Sequence, residues 1–123
     1  MTARLTVLET REAVVDDLSA DANLQPNTVV LYEHRNFAEN GRIRHLIITE
    51  FSPQDLYSLH VIDFKDCLSS LKWNLDPGIV VVFYEDHDGG GRRYEIIGTG
   101  EDKDTHNNNF KDCASSWRWY RGA

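Results

Sequence analysis

The chain has 123 residues, enough for one domain with its own core and no need of disulfides or a structural metal. Its 13 lysines and arginines against 20 aspartates and glutamates leave a net charge of −7, which argues against nucleic acid as a partner, since that requires basic patches to displace counterions. No run approaches the roughly 20 apolar residues of a membrane helix. Two cysteines are too few for a disulfide framework or a cysteine-rich zinc site. The first ten residues lack the apolar stretch of a secretory leader, so an intracellular protein or a mature secreted form is expected.

In chain order, residues 1–27 read as an N-terminal extension. Leu5 and Val7 alternate with polar neighbours as in an edge strand, Val14, Leu18 and Ala22 have helical spacing, and Pro26 closes the segment. Thr28–Tyr32 is a β-branched and aromatic run of strand length. Asn40-Gly41 is turn chemistry, and shorter apolar runs follow at Leu46–Thr49, Leu59–Ile62 and Leu68–Trp73. Asp76-Pro77-Gly78 marks a turn between halves. Strands are then expected at Ile79–Tyr84, Tyr94–Ile97 and Ala114–Tyr120, with a turn at Asp88-Gly89-Gly90-Gly91 and a polar loop over Glu101–Asn109.

The sequence repeats. Phe64-Lys65-Asp66-Cys67-Leu68-Ser69-Ser70-Leu71-Lys72-Trp73 matches Phe110-Lys111-Asp112-Cys113-Ala114-Ser115-Ser116-Trp117-Arg118-Trp119, with eight of ten positions identical or Lys-for-Arg. Upstream, Val29-Val30-Leu31-Tyr32-Glu33-His34 echoes Val81-Val82-Phe83-Tyr84-Glu85-Asp86. Each unit is too short to fold alone but suits half a domain. The expected organisation is all-β: a domain over residues 28–123, with motif 1 at about 28–76 and motif 2 at about 77–123, forming a Greek-key β-sandwich.

These residues resemble the βγ-crystallin family. Tyr84-Glu85-Asp86 through Gly91, and Tyr32-Glu33-His34-Arg35-Asn36-Phe37 with Gly41, are similar to its opening hairpin. Lys65–Ser70 and Lys111–Ser116 resemble its Asn/Asp-Asn/Asp-x-x-Ser/Thr-Ser stretch, which binds calcium in microbial members. The resemblance covers residues 28–121. It implies two Greek-key motifs and a calcium ion as ligand. The implied ligands are Ser69 and Ser115, an oxygen of Glu33 and of Glu85, and oxygens around Asp66 and Asp112, each site combining pieces of both motifs. Gly41 and Gly91 would provide a strained turn in each hairpin, and Ser70 and Ser116 would tie the hairpins to the sheet. Three departures stand out. Lysine occupies the first position of both calcium stretches, Gly89 stands where the second hairpin's aromatic belongs, and motif 1 has two extra residues before Gly41.

Read without the resemblance, Asp66 and Asp112 are turn aspartates bonding their own backbone, and Ser69 and Ser115 are strand-edge residues. Cys67 and Cys113 are small buried apolar residues or a bridge across the pseudo-twofold axis. Trp73 and Trp119 are packing residues. The chain lacks the usual enzyme motifs. Asp86, Asp88 and Gly91 fit an EF-hand loop whose twelfth position is Ile97 instead of Glu. Gly89–Arg92 lacks the Lys-Ser/Thr of a phosphate loop, and there is no Gly-x-Ser-x-Gly elbow or His-x-x-x-His pair. The expectation is a non-enzymatic, monomeric calcium-binding protein, its protein partners unspecified. The competing readings are an interaction module like a proteinase inhibitor or toxin, presenting Glu101–Asn109 or Phe37–Ile43, and a structural or stress protein with degenerate ion sites.

Overall fold

The computed structural model describes residues 6–9, 24–49, 52–110 and 112–122. The helical spacing of Val14, Leu18 and Ala22 lies outside the described residues. The strands are β1 (Thr6–Glu9), β2 (Thr28–Tyr32), β3 (Ile43–Ile47), β4 (Tyr57–Ser58), β5 (Ser70–Asn74), β6 (Ile79–Tyr84), β7 (Arg93–Ile97), β8 (Thr99–Asp102) and β9 (Ser116–Arg121).

They form two antiparallel sheets, ordered β1-β3-β2-β5-β8 and β4-β9-β6-β7. The second sheet mirrors four strands of the first. The hairpins β2–β3 and β6–β7 are equivalent, as are the return strands β5 and β9, each paired along its hairpin's first strand. The short strands are exchanged: β4 comes from the first half and lies on β9, while β8 comes from the second half and lies on β5. Each sheet therefore needs a strand from the other half. β1 adds a fifth strand, pairing with β3 from Thr6↔Ile47 to Glu9↔Arg44.

Period-two alternation sets the core. Val29 and Leu31 of β2 and Val81 and Phe83 of β6 point between the sheets, where they meet Phe64, Phe110, Trp117 and Trp119. Val30 and Tyr32 face the opposite side with Ile43. The indole N–H of Trp73 donates to the Ile97 carbonyl at 2.9 Å, and that of Trp119 to the Pro53 carbonyl at 3.0 Å, so each repeated tryptophan grips a segment from the other half. Gly100 on β8 is required by this packing, since a Cβ there would come within 2.8 Å of the Trp73 ring.

Two segments differ from the sequence expectation. Leu59–Ile62 is a 3-10 helix, not a strand: the Ser58 hydroxyl accepts from the His60 amide, and Asp63 closes the turn at φ 57°. Glu101–Asn109 is not a simple loop. Its start belongs to β8, and Thr105–Asn108 forms another 3-10 helix capped by Asp104, the counterpart of Leu59–Ile62. Gly98, at φ 64°, turns the chain out of β7 so that β8 can cross to the other sheet.

Tyr94 on β7 donates its hydroxyl to the Asp102 carboxylate on β8, across that crossing. Burial, reinforced by Asp102, holds the phenol far above its usual range. A raised folded-state pKa means that this contribution is intact below about pH 10, where unfolded tyrosine titrates, and is lost as pH rises beyond it. Urea midpoints should therefore fall above about pH 10, and Tyr94→Phe should flatten that decline. A residual slope is expected from Tyr57, whose hydroxyl burial also raises.

Candidate metal centre

The two repeated stretches enter the site through left-handed aspartates. Asp66 has φ 58° and Asp112 φ 53°, a conformation that Asp tolerates better than most residues. The turns lock to each other through the backbone. The Asp66 amide donates to the Ala114 carbonyl at 2.8 Å, and the Asp112 amide to the Leu68 carbonyl at 3.0 Å.

The side chains cross in the same reciprocal way. The Ser69 hydroxyl donates to Asp112 Oδ1 at 2.9 Å, and the Ser115 hydroxyl to Asp66 Oδ1 at 3.2 Å. Ser69 and Ser115 are buried, while both aspartates are exposed at the rim. A cleft of about 520 Å³ opens beside Ser69, lined by Glu33, His34, Asp66, Cys67 and Asp112 among others. On the other side, the Ser115 amide donates to the Tyr84 carbonyl at 2.8 Å, next to Glu85 in the chain.

Glu33 and Glu85 are arranged alike. Glu33 Oε1 accepts from the Arg42 amide at 2.8 Å, and Glu85 Oε1 from the Arg92 amide at 3.0 Å. The Arg92 guanidinium also holds Glu85, at 3.0 Å to Oε2, and these hydrogen bonds keep the Glu85 carboxyl below the usual glutamate range. Both carboxylates thus brace their hairpins. Among the described residues the backbone carbonyls of Glu33 and Glu85 accept no hydrogen bond, so each has a carbonyl oxygen to offer.

The hairpins are tied down by the second serine of each repeat. The Ser70 hydroxyl donates to the His34 carbonyl at 2.7 Å and accepts from the Phe37 amide at 3.1 Å, and the Ser116 hydroxyl donates to the Asp86 carbonyl at 2.6 Å. The two glycines differ from the expectation of equal turns. Gly91 has φ 77°, whereas Gly41 is outside the left-handed region. Gly41 instead lets the His34 ring and the Glu33 carboxylate lie close to the backbone, since a Cβ there would come within 2.6 Å of the ring and make it shift. The left-handed positions of the first hairpin are Asn36 and Phe37, at φ 61° and 57°, and Phe37 corresponds to Gly89 at φ 87°. Phe37 accepts the strained backbone with its ring packed edge-on against Tyr32.

Two arginines were given no role at the site from the sequence. Arg42 Nη1 donates to Cys67 Sγ at 3.1 Å, and its Nε lies 3.5 Å from Asp63. Arg92 reaches back to Glu85 and donates through Nη1 to the Asn109 carbonyl at 2.9 Å. Each arginine staples its hairpin to the turn before the repeated stretch. The dipeptide Gly-Arg, present at Gly41-Arg42 and Gly91-Arg92, was the available signal. Both cysteines are free thiols in equivalent places. Burial raises the Cys67 thiol, partly countered by Arg42, and raises Cys113 in the same way beside Arg92, so neither is an activated nucleophile. Lys65 is exposed and makes no ion pair among the described residues, and Lys111 lies outside them.

Three solved structures share this architecture. A domain from work on the evolution of the eye lens βγ-crystallin domain fold superposes with a TM-score of 0.68 at 18% identity, over 96% of this chain and 100% of its own. The chain has the βγ-crystallin fold. Spherulin 3A from Physarum polycephalum matches with a TM-score of 0.58 at 18% identity, covering 96% of this chain and 97% of its own. A βγ-crystallin domain from Clostridium beijerinckii matches at 0.55 and 22% identity, covering 76% and 97%. No family model matches the chain, and no curated protein does. The βγ-crystallin fold here places two hydroxyl–carboxylate pairs around one pseudo-twofold axis. No group of three or more His, Cys, Asp or Glu side chains converges as a metal cage among the described residues. An ion held here would draw mainly on hydroxyl, carbonyl and water oxygens beside a single carboxylate, a donor set that suits a hard cation.

Proposed function

We propose that this chain is a non-enzymatic calcium-binding protein of βγ-crystallin type in which the ion stabilises the fold. The reciprocal pairing of Ser69 with Asp112 and of Ser115 with Asp66 carries this reading. One ion would take the Glu33 carbonyl, the Ser69 hydroxyl and the Asp112 carboxylate, and a second the Glu85 carbonyl, the Ser115 hydroxyl and the Asp66 carboxylate. Waters would complete the six to eight oxygens that calcium prefers. With one carboxylate at each site and an arginine beside each hairpin, affinity is expected to be modest.

An ion that binds only the native state stabilises it by mass action, by about 2.7 kcal/mol per site at a hundredfold excess over its Kd. The melting midpoint should therefore rise in millimolar calcium and return with chelator. The variant Ser69→Ala/Ser115→Ala should lose most of that increment, whatever it costs the ion-free fold. Equal midpoints in calcium and in chelator would overturn the proposal.

A structural protein with degenerate sites is the second reading, favoured by the arginine staples and by the lysine in each repeat. Both staples already join the pieces that an ion would join. Under this reading calcium binding is absent from the unmodified chain and appears in Lys65→Asn/Lys111→Asn.

A further inference from the structure

The two equivalent sheet edges are not used equally. In the first sheet, the outer edge of β3 carries β1. β7 holds the same place in the second sheet: it follows the same hairpin, starts two residues after Gly91 as β3 does after Gly41, and pairs with β6 as β3 pairs with β2. No described strand lies on its outer side. Arg93, Glu95 and Ile97 are exposed along it, Ile97 at 65%, and Arg93 Nη2 sits 2.8 Å from Glu95 Oε2.

We propose that β7 is the surface through which two copies of this chain associate, β7 lying antiparallel to β7 about a twofold axis at Tyr94. In this register each Arg93 stands opposite the second copy's Glu95, and the two exposed ion pairs become one ladder of alternating charge. The register centred on Glu95 sets glutamate against glutamate, and the one centred on Arg93 sets arginine against arginine, both unfavourable. An edge charged with one sign would repel its copy, which is a common protection against edge pairing. Alternating signs on one strand instead favour the antiparallel register that sets unlike charges opposite each other. The four strands of each copy then join as one sheet of eight, and the outer edge of β7 is paired as that of β3 is by β1.

The test is sedimentation equilibrium on the full chain from micromolar to millimolar concentration. The mass should rise toward that of two chains. Glu95→Arg makes β7 all arginine and Arg93→Glu makes it all glutamate, so each variant alone should keep the mass of one chain. An equimolar mixture of the two should regain the mass of two chains, because their edges are complementary. Both positions are exposed, so unchanged circular dichroism will show that the fold is intact. One-chain mass at every concentration for the unmodified protein overturns the proposal. So does a dimer that both variants leave untouched, or a mixture that stays monomeric.

Discussion

Replacing Trp119 with alanine should destabilise the protein by about 3–5 kcal/mol, the range for deleting a buried aromatic side chain. Trp119 is 1% exposed and packs in the core between the sheets. Most of the cost is the cavity, because the Pro53 carbonyl that accepts its indole N–H also accepts the Tyr57 hydroxyl at 2.8 Å and keeps that partner. A loss of this size takes a fifth or more of the roughly 5–15 kcal/mol that typically holds a domain together. A melting curve should show the midpoint falling on the order of 10–20 °C. Trp73→Ala should cost less, because Trp73 is only half-buried. Equal losses at the two positions would mean that the halves are packed more symmetrically than described here.

Ser70→Ala is expected to be the more damaging of the two hairpin-tying substitutions. Ser70 is fully buried, and its hydroxyl serves both the His34 carbonyl and the Phe37 amide. Removing it orphans two backbone groups at about 1–3 kcal/mol each. Ser116→Ala removes one bond from the Asp86 carbonyl, which keeps the Gly89 amide at 3.2 Å and is not orphaned. Ser70 also holds the hairpin that places Phe37 in left-handed backbone, so its loss frees that strain and lets the loop open. Urea denaturation should rank the stabilities as unmodified, then Ser116→Ala, then Ser70→Ala. The reverse order of the two variants would show that the strained first hairpin is held mainly by the Phe37 ring.

Much of this was legible in the chain, because duplication writes the same physical requirement twice. The repeated Phe-Lys-Asp-Cys-x-Ser-Ser-x-x-Trp marks where the two halves meet, and the strand-length runs at 28–32 and 79–84 mark β2 and β6. β8 was not legible. Thr-Gly-Glu-Asp has no apolar alternation and becomes a strand only because β5 offers it an edge. Leu59–Ile62 misled for the opposite reason: the run is apolar, yet Leu59 is fully buried and Ile62 packs partly against the core while Val61 is 80% exposed, so the side chains that serve the core are three apart and a tight turn suffices. At the candidate site, sequence could nominate Glu33 and Glu85 but not which oxygen each has free. That depends on the hairpin geometry, in which the Arg42 and Arg92 amides each bond one carboxylate oxygen and leave the backbone carbonyl without a partner among the described residues.

The exchange of β4 and β8 bears on how the chain comes to be folded at all. While the polypeptide emerges from the ribosome, the first sheet waits for β8 and the second already holds β4 with nothing to lay it on. Each sheet draws a strand from the other half, so both are complete only once β9 is free. Pairings this distant in sequence make for slow folding relative to helical domains of similar size. Exposed strands in the interim are what a cell's chaperones exist to shield.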